Sequence, residues 1–246
     1  MWEPQPASTH GGRLGRLLPA WPAALAVIAH PDDESFGLGA VIGQLAAAGT
    51  AVHILCYSHG EASTLNETRA DLRRAREDEL RQAAAELGAA SVTLLDYPDG
   101  SLAGVPPGEL AVHAAAAAAR HGVAGLLAFD DTGITRHRDH QAATGAAVLA
   151  GREAGLPVLA WALPEAVAGR LTAETGQNFA GEPPGRMDLC VRVSRNRQRR
   201  AALLHASQIS PGAVLWRRLQ LQGDCEYLRW LVPPRKPGDT VPAGGG

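Results

Sequence analysis

The sequence of 246 residues lacks the features by which disulfide-rich, nucleic-acid-binding and membrane-spanning proteins are identified. Its three cysteines, at positions 56, 190 and 225, form no C-x-x-C pair, so neither a disulfide framework nor a zinc knuckle is expected. A formal net charge of −2 provides no general attraction for nucleic acid or an anionic membrane. No apolar run reaches the length of a membrane-spanning helix. We therefore expect a folded cytoplasmic protein without a membrane span or a nucleic-acid partner.

Both ends of the chain lack the hydrophobic periodicity of regular structure. Residues 1–20 mix proline, glycine, serine and arginine, and residues 233–246 are rich in proline and glycine, so we predict flexible segments there. The apolar stretch 17–29 imitates a signal peptide, but two prolines interrupt it, and we interpret its end as a buried strand. A hydrophobic content of 46% is ordinary for a globular protein. The interval 21–232 is then predicted to be one domain.

Between these limits, short apolar runs alternate with longer segments of helical periodicity. Five runs predict buried strands, at Leu25–Ala29, Ala51–Tyr57, Val92–Leu95, Gly125–Phe129 and Pro157–Leu163. Helices are predicted in the gaps, at about 38–48, 66–87, 108–120, 138–154 and 196–207. This alternation predicts a single Rossmann-like α/β domain, with a mainly parallel sheet and helices on both faces. In such sheets, ligands bind beyond the carboxyl ends of the strands.

A dense polar cluster follows the first predicted strand. The segment His30-Pro31-Asp32-Asp33-Glu34 places one imidazole and three carboxylates in five residues. Like charges this close repel each other unless they are solvated, cap a helix or are offset by a cation. Capping of the following helix explains one aspartate more easily than it explains the whole cluster. We therefore interpret the cluster as part of a functional site.

A second polar cluster follows the fourth predicted strand and ends with His137, Asp139 and His140. Because the two histidines are three residues apart, a helix that starts there would project both rings to the same side. Alone, this pair is better explained by exposed polar residues at a helix start. Together, the two clusters can supply histidine and aspartate ligands to Zn²⁺, with one position left for water. A second aspartate could then accept a proton from that water.

The segment Ala29-His30-Pro31-Asp32-Asp33-Glu34 resembles the signature of the PIG-L/LmbE-like zinc-dependent deacetylases, which remove N-acetyl groups from glucosamine conjugates. The similarity covers most of the predicted domain. Further segments that resemble spaced motifs of this family are Gly60-Glu61, Arg76 to Leu80, Tyr97-Pro98-Asp99-Gly100, His137 to His140 and His205-Ala206-Ser207-Gln208. The resemblance implies a metal-dependent hydrolase that removes an N-acetyl or other N-acyl group from a glucosamine-containing small molecule.

By position, the resemblance also implies individual roles. The implied ligands of the zinc ion are His30, Asp33 and His140. Iron(II) is an alternative, because the same ligand types accept both metals. Asp32 is the implied general base, and His137 is the group that polarises the carbonyl or stabilises its oxyanion. Asp139 is expected to orient a histidine without binding the metal itself.

The resemblance further indicates Asp99, Arg76 and Glu61 as side chains near the sugar hydroxyls. Each also has an ordinary structural explanation: an ion pair on the helix surface for Arg76, a turn for Asp99 and a helix cap for Glu61. Glu34 receives no role. The implied partner is an amino-sugar conjugate, and the resemblance also implies assembly into a homo-oligomer.

Other interpretations remain open. Gly37-Leu38-Gly39 suggests a dinucleotide-binding loop, but the three preceding acids would repel a pyrophosphate, and tight helix packing explains these glycines better. A metal-dependent phosphoesterase would gain from Arg136 and Arg138. The same fold could also carry a catalytically silent sugar-binding module. The five arginines between 192 and 200 are interpreted as a solvated helix face in preference to a site for a polyanion.

Overall fold

The computed structural model describes residues 17–65 and 71–235. Seven strands within these ranges share one sheet. They are β1 Ala23–Ile28, β2 Ala51–Ser58, β3 Ser91–Tyr97, β4 Leu126–Phe129, β5 Val158–Ala162, β6 Leu189–Arg192 and β7 Cys225–Val232. Their order is β3-β2-β1-β4-β5-β7-β6, with the first five parallel and β7 antiparallel to both of its neighbours. The predicted mainly parallel sheet is confirmed.

Eight α-helices accompany these strands in the described ranges. They are α1 Asp33–Phe36, α2 Gly39–Ala47, α3 Leu72–Leu87, α4 Pro107–His121, α5 Arg138–Ala154, α6 Glu165–Thr175, α7 Asn196–Leu204 and α8 Val214–Gln222. One buried apolar cluster contains residues of α2, α3, α6 and α7, and a second contains residues of α4 and α5. Helices of both groups therefore cover the sheet. None of the helices in the described ranges combines the length and apolar character needed to cross a bilayer.

The central strand β1 explains how the site is positioned. All six of its residues are buried, with Ala26 and Ile28 in the first apolar cluster and Leu25 and Val27 in the second. A strand buried on both faces has no polar side, which is why its sequence is a continuous apolar run. The strand order reverses between β1 and β4. In α/β sheets this reversal point forms the ligand-binding crevice, so the loops after β1 and β4 meet there.

Two strands, β6 and β7, and three helices, α1, α6 and α8, are additional to the predicted elements. In β7, the charged residues Glu226 and Arg229 are buried and form ion pairs. The strand therefore lacks the alternation of apolar and polar residues by which a half-buried strand is predicted from sequence. The strand β6 has only four residues. The spacing of Val167, Ala168 and Leu171 in α6 is helical, and these residues are buried, so that helix had a usable signal.

The ends of the predicted elements agree with the structure to within a few residues. The helix α3 covers the later part of the predicted helix 66–87, and residues 66–70 lie outside the described ranges. Its N-cap residue Asp71 accepts a hydrogen bond from the backbone of Arg74 at 3.1 Å, and Gly88 ends it with a φ of 83°. The predicted flexible ends lie largely outside the described residues.

The arginines between 192 and 200 form the predicted solvated face in part: Arg192, Arg197, Arg199 and Arg200 are exposed, whereas Arg195 is not. The side chain of Arg195 is only 9% exposed and pairs with the buried carboxylate of Glu226. Arg197 donates a hydrogen bond to the carbonyl of Leu87 at 3.1 Å. These contacts connect α7 to β7 and to the end of α3. Arg195 is thus the exception to the predicted solvated face, because its charge pairs with a buried carboxylate.

Candidate active site

The segment after β1 turns sharply into α1. Asp32 has φ 114° and ψ −27°, a left-handed conformation that costs a non-glycine residue about 1–3 kcal/mol. The carboxylate of Asp33 accepts hydrogen bonds from the backbone N–H groups of Ala29 and His30, at 3.1 and 3.0 Å. Neither α1 nor α2 has a side-chain cap among the described residues. The alternative that these acids are helix caps is therefore wrong.

Glu34 and His205 form a fully buried pair beneath this turn. One carboxylate oxygen of Glu34 accepts hydrogen bonds from His205 Nε2 and Ser35 Oγ, both at 2.6 Å. The other oxygen accepts the backbone N–H of Asp32 at 3.0 Å. Glu34 thus holds the backbone of Asp32 in place. The sequence pattern assigned it no role, and its partner was visible only as part of the His205-Ala206-Ser207-Gln208 motif.

His137 is the N-cap residue of α5. Its Nδ1 accepts the backbone N–H of Asp139 at 3.2 Å, so the neutral ring carries its proton on Nε2. Burial and the neighbouring His140 lower the pKa of His137, which favours the neutral ring at pH 7. The rings of His137 and His140 stack with centroids 4.6 Å apart. The expectation that both rings project to the same side is confirmed.

The loop that leads to His137 is strained. Ile134 and Arg136 have φ values of 63° and 60°, which are unusual for residues with a side chain. A Cβ atom on Gly133 would lie 2.6 Å from the carbonyl oxygen of His137, so this position requires glycine. Strain of this kind, here and at Asp32, is concentrated in functional loops.

Asp33 lies close to both histidines of the implied ligand set, through a different carboxylate oxygen for each. His30 Nδ1 is 3.7 Å from one oxygen of Asp33, and His140 Nε2 is 3.2 Å from the other. Two ligands of a tetrahedral zinc ion are about 3.3 Å apart, because each bond is about 2.0 Å long. Two donor sets around His30 have ligand atoms that all lie within 4.8 Å of one another: His30 with His137 and His140, and His30 with Asp99 and Asp139. The implied set and the set with His137 share His30 and His140.

The charge around His30 also suits a cation. Its Nε2 lies 3.0 Å from Asp99 and 3.5 Å from Asp139, without hydrogen-bond geometry to any described residue. Burial lowers the pKa of His30, but Asp139, Asp99 and Asp33 outweigh this effect and raise it to about 10. Burial raises the pKa of Asp33, but His140 and His30 outweigh it and hold this pKa well below its usual range. Surroundings that retain a proton so strongly also favour a divalent cation, which would displace that proton.

Asp32 lies beside this cluster and contacts Arg76. The guanidinium is 3.0 Å from the carboxylate and also donates to the carbonyl oxygens of Pro31 and Gly60. Burial raises the pKa of Asp32, Arg76 offsets only part of this, and the resulting value is about 6. Gly60 has a φ of 64°, and a Cβ there would lie 2.4 Å from the guanidinium. Arg76 therefore positions Asp32, and its surface ion-pair explanation is wrong.

The predicted sugar-binding acids lie near His30, in different positions. Asp99 lines the pocket beside His30, whereas Glu61 accepts the backbone N–H of Asp99 at 3.1 Å and does not line the pocket. Asp139 accepts the backbone N–H of Gly100 at 2.8 Å and faces His30. Glu61 thus supports the Asp99 loop, and Asp139 is placed where it could orient His30.

These side chains open into a pocket of about 720 Å³. One part of its lining is polar, with His30, Asp32 and Asp99. Another part is apolar, and we call it the apolar wall. Its residues are Phe36, Phe129, Trp161, Phe179, Val214 and Leu215. They come from α1, β4, β5, the segment after α6 and α8, so no local sequence pattern could have identified them.

The geometry bears on two of the rival interpretations, the phosphoesterase and the dinucleotide-binding loop. Arg136 and Arg138 are exposed and do not line the pocket, which removes the cations that favoured a phosphoesterase. A Cβ on Gly37 would lie 2.3 Å from the ring of Phe129, so this glycine serves close packing, as predicted. The dinucleotide-loop interpretation is therefore unnecessary.

The fold and site define a class of protein: a Rossmann-like α/β protein with a histidine and aspartate cluster at the strand-order reversal. Within this class, the family model for PIG-L, described as GlcNAc-PI de-N-acetylase, matches residues 25–150, just over half of the chain. The chain belongs to the PIG-L family. The resemblance inferred from the motifs is confirmed, and the matched range contains both loops of the candidate site.

Two relatives have names that describe deacetylation of amino sugars. A probable N-acetylglucosaminyl-phosphatidylinositol de-N-acetylase of Schizosaccharomyces pombe is 35% identical over 122 residues, which cover 47% of this chain and 46% of the relative. The chain thus spans about half the length of that relative. A 1D-myo-inositol 2-acetamido-2-deoxy-alpha-D-glucopyranoside deacetylase of Nakamurella multipartita is 28% identical over 278 aligned positions, covering 89% of this chain and 93% of the relative.

A solved structure shows the same fold. The deacetylase of the teicoplanin biosynthesis pathway superposes with a TM-score of 0.66, at 22% identity. The match covers 85% of this chain and 96% of the other. This similarity supports the predicted fold class.

Proposed function

We propose that this protein is a metal-dependent hydrolase that removes an N-acetyl or longer N-acyl group from the amine of a glucosamine-containing small molecule. One observation carries the proposal: two loops about a hundred residues apart bring His30, Asp32, Asp33, His137 and His140 to one end of a single pocket. The names of the two relatives, both deacetylases of N-acetylglucosamine conjugates, support it.

In this proposal, His30, Asp33 and His140 hold the metal, Zn²⁺ or Fe²⁺. When bound, such an ion lowers the pKa of a water molecule towards about 7 and polarises an amide carbonyl. The two imidazoles and one carboxylate are ligands that either ion accepts. Asp139 faces His30 Nε2 at 3.5 Å and would orient that ring.

Asp32 accepts the proton of the attacking water. The pKa of Asp32, raised by burial to about 6, is close enough to neutral for the carboxylate to take a proton and release it again. Arg76 and Glu34 hold its side chain and backbone, at 3.0 Å each. Asp32 can then pass the proton to the departing nitrogen, because His137 is neutral and already engaged as a hydrogen-bond donor.

His137 stabilises the developing oxyanion. Its Nδ1 is occupied by the backbone N–H of Asp139, which leaves the Nε2–H group to donate. A preorganised donor aimed at a developing negative charge contributes strongly to catalysis. The cap of α5 supports the role that the family resemblance implies for His137.

The sugar is expected on the side of Asp99, which lines the pocket and lies 3.0 Å from His30. Direct sugar contacts by Arg76 and Glu61 are less favoured, because the first binds Asp32 and the second lies behind Asp99. The domain boundaries at 21 and 232, the cytoplasmic location and the homo-oligomer remain predictions.

The test is to incubate metal-loaded protein with N-acylated glucosamine derivatives and to measure primary amine and free acid. We expect equal amounts of both products. Asp32→Asn should retain the metal and lose about 10²–10⁴-fold in turnover, the usual contribution of a general base. Asp78→Asn, on the exposed face of α3, is the matched control and should behave as wild type.

Three outcomes would contradict the proposal in different ways. Equal turnover by Asp32→Asn and wild type would remove Asp32 as the base. Hydrolysis of a generic phosphate ester without amine release would favour a phosphoesterase. Sugar binding without any turnover by the metal-loaded protein would favour the silent module.

A further inference from the structure

We propose that the apolar wall binds an aliphatic N-acyl chain longer than acetyl, so that the substrate is a glucosamine derivative with an acyl group of several carbons. This inference rests on the proposed function, because it places the scissile amide at the His30 and His140 cluster. The apolar wall comprises Phe36, Phe129, Trp161, Phe179, Val214 and Leu215.

The apolar wall begins directly beside the proposed reaction centre. The ring of Phe129 packs edge-on against His140, with centroids 4.9 Å apart. Trp161 continues the surface, with its ring centroid 5.3 Å from that of Phe129. Phe129 and Trp161 are at most 7% exposed, whereas Phe179 and Val214 are half-buried and accessible from the pocket. Phe129 and Trp161 thus connect His140 to the apolar wall, all of which lines the same pocket.

The two substituents of an amide leave the reacting bond in opposite directions. The polar groups lie around His30, whose Nε2 is 3.0 Å from Asp99 and 3.5 Å from Asp139. If the sugar on the nitrogen occupies this polar side, the substituent on the carbonyl carbon points towards His140 and the apolar wall. An acetyl group places a single methyl there, which would leave most of this surface in contact with water.

Arg218, a charged residue that lines the pocket beside Trp161, is already engaged. Arg218 lies 4.7 Å from the centroid of a Trp161 ring, donates to the carbonyl of Phe36 and donates to Gln222 at 2.6 Å. Glu226 is 4.0 Å away and is shared with Arg195. Arg218 thus connects α8 to α1 and β5, and its contacts with Phe36 and Gln222 occupy N–H groups that a carboxylate on the acyl chain would need.

The test is a series of glucosamines with acetyl, butanoyl, hexanoyl and octanoyl groups on nitrogen, compared by kcat/KM for amine release. Each buried methylene should raise kcat/KM by about fourfold until the surface is filled, which corresponds to about 0.8 kcal/mol. N-hexanoylglucosamine should exceed N-acetylglucosamine by at least about tenfold. A series in which the acetyl compound is fastest would overturn the inference.

Further substrates separate the alternatives. A comparison of the octyl and methyl glycosides of N-acetylglucosamine tests whether the apolar wall binds an aglycone instead. A preference for the octyl glycoside without a preference for long acyl groups would overturn the acyl assignment. An N-adipoyl compound faster than N-hexanoyl would show that Arg218 recognises an anion, and would also overturn it. Amine release from none of these compounds would reject the proposed function itself, whereas release from the acetyl compound alone would reject only the acyl inference.

Variants of the pocket test whether the acyl chain lies on the apolar wall. Val214→Trp, at the start of α8, should fill the space and lower the ratio of octanoyl to acetyl kcat/KM by at least about fivefold. Phe179→Ala removes a ring without adding volume and should lower the same ratio. Val112→Trp, at a 65% exposed position on α4, is the control and should leave the ratio unchanged. Ratios equal to wild type in both wall variants would show that the chain does not lie there.

Discussion

The backbone N–H of Asp32 donates a hydrogen bond to Glu34 across 3.0 Å, at a residue whose φ is 114°. The second oxygen of the same carboxylate accepts a hydrogen bond from His205, 171 positions away in the chain. The position of the proposed base therefore depends on a buried acid that does not line the pocket and on a histidine from the C-terminal part of the domain. This relationship extends the site beyond the side chains that line the pocket.

Glu34→Gln should lower kcat by about tenfold to a hundredfold, because small displacements of a catalytic group have effects of this order. The amide would place an NH₂ group against donors that now share the carboxylate, and a buried donor without an acceptor costs about 1–3 kcal/mol. Steady-state kinetics with an N-acylglucosamine should show the loss in kcat more than in KM, with metal content near normal. Glu86→Gln, which removes a surface ion pair with Arg200, is the control. A kcat equal to wild type in Glu34→Gln would show that Asp32 does not need this support.

The metal could be held by His30 and His140 together with either Asp33 or His137. These two ligand sets predict opposite results for Asp33→Asn and His137→Ala. If Asp33 is a ligand, Asp33→Asn should bind at least about tenfold less metal than wild type at limiting metal concentration. His137→Ala should then retain the metal and lose turnover by about 10²–10³-fold, the usual effect of removing an oxyanion donor. Metal content by atomic absorption, measured alongside kcat, separates the sets. If His137→Ala is purified without metal and Asp33→Asn with it, the third ligand is His137 and not Asp33.

His205 should make stability depend on pH. Burial lowers its pKa, but the carboxylates of Glu34, Asp32 and Glu79 outweigh burial and raise the pKa above 6.5. A group whose pKa is raised by folding contributes stability that is complete below its unfolded pKa of about 6.5 and is lost as pH rises through the folded value. The stability advantage of wild type over His205→Asn should therefore shrink as pH rises above about 6.5.

Urea midpoints at several pH values, with a chelator present, check this prediction. The chelator is needed because metal binding has its own pH dependence. An advantage of wild type that stays constant across the range would show that His205 does not change its protonation in the folded protein.

Sequence patterns predicted the parts of this protein that depend on neighbouring residues. The apolar run of β1 placed His30 at the end of a strand buried on both faces, and the alternation of strands and helices placed the loop of His140 at the same edge of the sheet. Both conclusions follow from periodicity and from the right-handed connections of parallel sheets. The family resemblance then added individual roles that spacing alone left open.

The parts that could not be predicted depend on contacts between distant segments. The pairing of Glu34 with His205 and the burial of Arg195 against Glu226 join residues far apart in the chain. A polar residue carries no local mark that distinguishes a buried, paired position from a solvated one. The apolar wall was missed for the same reason, since Trp161 and Leu215 look like ordinary core residues until the fold brings them to one pocket.

Two glycine variants test how tightly the first loop packs against the site. In Gly37→Ala, the new Cβ would lie 2.3 and 2.4 Å from two ring atoms of Phe129, which is itself held by His140 and Trp161. Overpacking of this kind costs about 1–3 kcal/mol. Gly145→Ala, on the exposed face of α5, meets no described atom within 4 Å and should stabilise the protein by about 0.5–1 kcal/mol through helix propensity.

The measurement is the denaturant midpoint of each variant relative to wild type, followed by metal affinity. Gly37→Ala should bind metal more weakly as well, because the displaced ring of Phe129 packs on His140, whereas Gly145→Ala should bind as wild type does. Equal gains in stability for both variants would mean that the ring of Phe129 moves aside without cost. In that case His140 would not depend on Phe129 for its position, and the start of the apolar wall would be more mobile than its contacts indicate.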